Sequence, residues 1–178
     1  FEDRKSDRGL NLTSTNYVDI VNYRGKNLES IQGADYTLSA HFMPYSVPDG
    51  KKKNEQQYAI LMKPGYHLGL SYGHDRRFAM SHQFVAGGKT NLVAAFSSGK
   101  FDENEWHHVV GTVNRSEGTV NLFVDGKAAG SAEFPANSRG YVSTNRWHIG
   151  VASPMGKSHR WYADGAVDQV RIYNRALE

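Results

Sequence analysis

Cysteine is absent from the 178 residues, which removes disulfide frameworks, thiolate nucleophiles and thiolate metal sites, and with them redox chemistry and zinc fingers. Long apolar runs are also missing. No stretch approaches the roughly 18 uninterrupted apolar residues of a membrane span, and no charged-then-apolar segment reads as a signal peptide. Neither sign of charge dominates. With 21 Lys and Arg against 18 Asp and Glu, the formal charge of +3 is too mild and dispersed to point to nucleic acid, and at most biases the chain toward anionic ligands. There is no low-complexity tract, internal repeat or composition shift, so residues 1–178 are expected to form a single domain, part of a larger protein.

What is present is aromatic and turn-rich: 18 Gly, 10 Tyr, 8 Phe and 3 Trp. Apolar residues recur at every second position in short runs and almost nowhere at helical spacing, which predicts a nearly all-β chain. The runs fall at Tyr17 to Val21, Tyr36 to Phe42, Tyr58 to Met62, Tyr66 to Tyr72, Arg77 to Phe84, Leu92 to Phe96, Val109 to Val113, Val120 to Val124, Trp147 to Val151 and Ala166 to Tyr173. Turn signals such as Asp49-Gly50, Gly87-Gly88, Asp125-Gly126 and Asp164-Gly165 separate many of them. That many short strands need two packed antiparallel sheets, because a single open sheet would leave an apolar face wet. The best helical candidate is one turn near Asn27 to Ile31.

The C-terminal half carries a resemblance. Trp106-His107-His108-Val109-Val110-Gly111-Thr112-Val113, Val120-Asn121-Leu122-Phe123-Val124-Asp125-Gly126-Lys127, Ile149-Gly150 and Gly165 to Leu177 resemble the laminin-G-like, concanavalin A-like lectin/glucanase domains. Asn16 to Ile20, Asp35 to Phe42 and Phe1-Glu2-Asp3 are similar, more weakly, to that superfamily's earlier strands. The resemblance implies an antiparallel jelly-roll β-sandwich, with a concave sheet that often receives glycan and a convex sheet that often carries a structural calcium. Asp168 matches a chain-end Asp that faces such a calcium in glucanases of the superfamily, which makes Asp168, with Glu2 or Asp3, the implied metal ligands. The other reading of Asp168 is a surface pair with Arg171 or a Lys.

A fold does not fix a function. Retaining glycosidases need two carboxylates about 5 Å apart, and neither Glu-x-Asp-x-Glu nor Glu-x-Asp-x-x-Glu occurs; Asp102-Glu103-Asn104-Glu105 reads as a polar loop. A jelly-roll lyase would need a group that neutralises a uronate and a base for its C5 proton. Tyr72, Arg76 and His82 are of the right types, but the Arg-Ser/Thr-Glu-x-Arg and Gln-Ile-His strands by which alginate lyases of this fold are recognised are missing.

Two segments are candidates for sugar binding. Trp161 and Tyr162, with His159 and Arg160, could stack on the apolar face of a pyranose while the polar groups take its hydroxyls; the alternative is an aromatic plug at the end of the sandwich. The hairpin tip His74-Asp75-Arg76-Arg77 could clamp a carboxylate or sulfate, or be a solvated turn with an Asp75–Arg pair worth about 0–1 kcal/mol. Tyr72 and His82 flank that tip. Trp106 and Trp147 are expected in the core. His107 and His108, adjacent on a strand, point to opposite faces, so no zinc or copper site is expected from them.

Together these observations predict a non-catalytic carbohydrate-binding domain of a secreted or cell-surface protein. Its partners would be a polysaccharide or oligosaccharide, acidic ones included, and the other domains of its parent. A polysaccharide lyase and a protein-interaction laminin-G module are the alternatives.

Overall fold

The computed structural model describes residues 9–13, 15–20, 28–51, 56–63, 68–141, 145–153 and 161–177. Its strands are β1 (Leu10–Thr13), β2 (Val18–Ile20), β3 (Tyr36–Pro44), β4 (Gln57–Lys63), β5 (Leu68–Gly73), β6 (Phe78–Ala86), β7 (Lys89–Phe96), β8 (His107–Asn114), β9 (Thr119–Val124), β10 (Lys127–Glu133), β11 (Arg139–Gly140), β12 (Trp147–Ile149) and β13 (Asp164–Tyr173). The expected helical turn is a 3₁₀ segment, Leu28–Gly33. One sheet has the order β1-β13-β3-β8-β9-β10; the other runs β11-β6-β5-β4-β12-β2, with β7 also paired to β6. Every pairing is antiparallel. The chain is the all-β jelly-roll sandwich its periodicity predicts.

Alternation explains how the sheets join. β3 turns Tyr36, Leu38, Ala40 and Phe42 inward, and β8 and β9 add Val109, Val113, Val120, Leu122 and Val124. From the facing sheet come Leu68, Leu70 and Tyr72 on β5 and Phe78, Met80 and Phe84 on β6. Each large apolar side chain buried there stabilises the fold by about 1.5–3 kcal/mol. Met80 fills the space that glycine leaves at Gly111, where a Cβ would meet the Met80 Cβ, Cγ and Sδ. Gly69, at φ 140°, lets β5 close on β4 beside a bulge between Ala59 and Leu61.

One expectation is corrected, and one element was not foreseen. Trp147 is in the core, with Nε1 donating to the Leu28 carbonyl at 3.2 Å, but Trp106 is only half-buried. The strand β10 was not expected, because Lys127–Glu133 has no β-branched or aromatic residue.

Candidate functional site: the outer face of the larger sheet

Inward-facing Phe78, Met80 and Phe84 fix the parity of β6, so Ala79, Ser81 and Gln83 face outward. Register then carries one row across the whole outer face. Asp19 pairs with His148, His148 with Met62, Met62 with Gly69, Gly69 with Ser81, and Ser81 with Ala94. Large side chains, Asp19, His148 and Met62, stand at the β2–β12 end of this row, and small ones, Gly69, Ser81 and Ala94, follow toward β7.

At the β2–β12 end the cluster is aromatic and polar. His148 Nε2 lies 2.5 Å from Asp19 Oδ1. A carboxylate only accepts, so Nε2 carries the proton and Nδ1 is left as a bare acceptor; Nδ1 is buried with no partner. Burial holds the His148 imidazole below its usual pKa, with Asp19 pulling the other way. The Tyr17 ring meets His148 edge-on at 5.5 Å and lies 6.4 Å from the Tyr162 ring. Trp161 takes φ 44°, a rare left-handed conformation for a bulky residue. Its carbonyl accepts from Ala59 N, and its indole packs with Ala59, Met62 and Ala152. At 8% exposure Trp161 plugs the outer face of β4, and Tyr17 and Tyr162 are the more accessible rings. His159 and Arg160 lie outside the described residues.

The hairpin tip does not converge on one point. His74 is exposed and packs over Gly50. Arg76 bonds Asp102 at 2.9 Å and Glu103 at 3.3 Å, while Arg77 bonds Asp75 at 2.6 Å and lies over the Phe96 ring at 5.1 Å. Both guanidinium groups already hold carboxylates, which is the ion-paired turn rather than an open clamp.

Tyr72 and His82 require a correction, because both are 0% exposed between the sheets. The Tyr72 hydroxyl donates to the Phe101 carbonyl at 2.8 Å, and burial pushes its pKa up to about 12. His82 Nδ1 lies 3.0 Å from the Tyr36 hydroxyl, and burial lowers its pKa to about 4. A glycan cannot reach either residue. With Arg76 paired elsewhere, the three groups suggested for lyase chemistry form no common site. The signal was in the sequence: His82 shares parity with Phe78, Met80 and Phe84, and Tyr72 with Leu68 and Leu70.

The smaller sheet holds His41, His107 and His108. His107 is buried with Nδ1 2.9 Å from Asp125, against Phe78 and Phe101. His108 faces outward, 2.9 Å from the Ser39 hydroxyl, and stacks on His41 at 4.5 Å. Across β3 from His41 stands Asp168, at a bulge where its Oδ1 accepts from Gln169 N at 2.7 Å. Among the described residues no three His, Asp or Glu are placed to hold a metal, and Glu2 and Asp3 lie outside those residues.

Comparison with known proteins agrees with the fold. A laminin-G-type family model, that of the concanavalin A-like lectin/glucanases superfamily, matches residues 12–178, and the chain belongs to this family. No curated protein matches. A Bacteroides ovatus protein described as carbohydrate-binding superposes with a TM-score of 0.63 at 16% identity, over 91% of this chain and 42% of its own. The CBM40 of a Ruminococcus gnavus sialidase, bound to α2,3-sialyllactose, gives 0.62 at 12% identity over 91% of each chain. A mutant NanB sialidase of Streptococcus pneumoniae gives 0.65 at 13% identity, over 96% of this chain and 26% of its own. The chain thus spans less than half of the first of these proteins and about a quarter of the third.

Proposed function

We propose that the domain is a non-catalytic carbohydrate-binding module that grips glycan on the outer face of its seven-stranded sheet. The observation that carries this reading is the Tyr17 ring set against the His148 imidazole, whose Nδ1 is buried without a partner, with the Tyr162 ring on the Tyr17 ring. Tyrosine rings stack on the C–H face of a pyranose, and a sugar hydroxyl is a donor that such an acceptor lacks. The likeness to carbohydrate-binding folds supports it. The register row holds one carboxylate, Asp19, engaged by His148, whereas glycosidic cleavage on this pattern needs two.

A secreted or cell-surface setting within a larger protein belongs to the same reading. Calcium at Asp168 is proposed only as a clamp whose further oxygens would come from outside the described residues, Glu2 and Asp3 among them.

Affinity electrophoresis through gels containing neutral and acidic polysaccharides tests the module. Retardation by at least one polysaccharide, reduced in Tyr162→Ala, is expected. Unretarded migration in all of them by folded protein overturns the reading.

A further inference from the structure

The far end of the same face has features that the first station does not use. On β7 the outward residues Leu92 and Phe96 are 51% and 45% exposed, and they pair across β6 with Gln83 and Ala79. Phe96 is backed by the Arg77 guanidinium, itself fixed by Asp75. Gln83 is only 7% exposed, and its Oε1 is buried with no hydrogen-bond partner. Gln83 stands opposite the exposed Leu92, and the exposed Phe96 ring lies four residues further along β7, about 13 Å at the usual rise, so this end offers an orphaned acceptor and, at a separate point, an exposed ring.

From these exposed and unpartnered groups we infer a second sugar subsite that runs along β7 from Leu92 and Gln83 to Phe96, so that the ligand is an oligosaccharide lying across the strands rather than one terminal sugar. The inference rests on the carbohydrate-binding reading. From β12 to β7 the face crosses four strand intervals, about 19 Å at the usual strand spacing, which exceeds a monosaccharide and suits several linked residues. The row between the stations, Met62-Gly69-Ser81, carries two small residues at its centre, so a chain spanning the stations meets no tall side chain from Gly69 or Ser81. A hydroxyl near the second station donates to Gln83 Oε1, while the exposed Phe96 ring receives a pyranose C–H face.

The test measures dissociation constants by calorimetry for cello-, xylo- and galacturono-oligosaccharides of increasing length, from disaccharide to hexasaccharide, and for α2,3-sialyllactose. In the series that binds, affinity is expected to rise roughly tenfold or more, about 1.4 kcal/mol, between the shortest and longest members. Phe96→Ala and, separately, Gln83→Ala should remove that gain, and Tyr162→Ala should weaken all lengths. Phe96 is exposed, so its variant keeps the fold, and an unchanged melting curve verifies this. Affinity independent of length, or a length gain that survives both variants, overturns the second subsite while leaving the module intact. No binding of any probe by folded wild-type protein overturns both.

Discussion

His148 Nε2 and Asp19 Oδ1 stand 2.5 Å apart across the β12–β2 pair, and this bond fixes the imidazole tautomer at the aromatic end of the larger sheet. Removing the acceptor leaves a buried N–H without its partner, at a cost of about 1–3 kcal/mol. Asp19→Ala should therefore lower the unfolding free energy by that order and weaken glycan binding. Because Asp19 raises the His148 pKa against burial, NMR titration should show it lower still in Asp19→Ala. An unmoved His148 titration would contradict the pairing.

Trp161 and Tyr162 should separate stability from binding. Trp161 is buried on Ala59, Met62 and Ala152, so Trp161→Ala opens a cavity and costs about 3–5 kcal/mol. Tyr162→Ala should leave the urea midpoint nearly unchanged and reduce retardation in polysaccharide gels. Equal losses of stability in the two variants would contradict this division of roles.

Acid should destabilise the domain through its histidines. Burial lowers the pKa values of His41, His108 and His148, and that of His82 to about 4. The unfolded chain, with histidines near 6.5, thus binds more protons than the folded one once the pH drops below about 6.5. Stability is fully present above that value and falls as the pH approaches the folded pKa values, with His82 alone contributing at most about 3 kcal/mol. Protonation of both His41 and His108 also places two cations in a stack 4.5 Å apart. Urea unfolding at pH 7 and pH 5 measures the change; equal midpoints would contradict it.

Much of the fold is legible in the sequence because inward residues such as Tyr36, Leu38, Ala40 and Phe42 alternate with polar ones. The strand β10 is not, since its Ala, Gly and Ser content has no strand preference and its place depends on pairing with β9. Site residues divide the same way. Trp161 and Tyr162 stand out by composition alone, but Tyr17, Asp19 and His148 meet only through the β2–β12 register, which neither segment encodes by itself. His82 misleads because a polar residue in a core needs a distant partner, here the Tyr36 hydroxyl.

Glycine at position 69 is required by the fold rather than by the site. At φ 140° a Cβ there would strike the Leu61 carbonyl and the Met62 Cα, so Gly69→Ala should cost about 3 kcal/mol or more. Thermal unfolding measures this, and a melting temperature like the wild type's would contradict the close β4–β5 approach.

Calcium has a simple signature. An ion bound only by the folded state at a hundredfold excess over its Kd stabilises by about 2.7 kcal/mol. EDTA should then lower the melting temperature by several degrees, and Asp168→Ala should abolish the difference. Identical melting curves with and without EDTA would leave Asp168 as a bulge residue facing His41.

The most direct test of the central claim is a map of amide chemical-shift changes on titration with an oligosaccharide that the domain retains. The account predicts changes concentrated on β2, β12, β4 and residues 161–163, extending to β6 and β7 with longer ligands. Changes confined to the outer face of β3, β8 and β13, around His41 and His108, would contradict it.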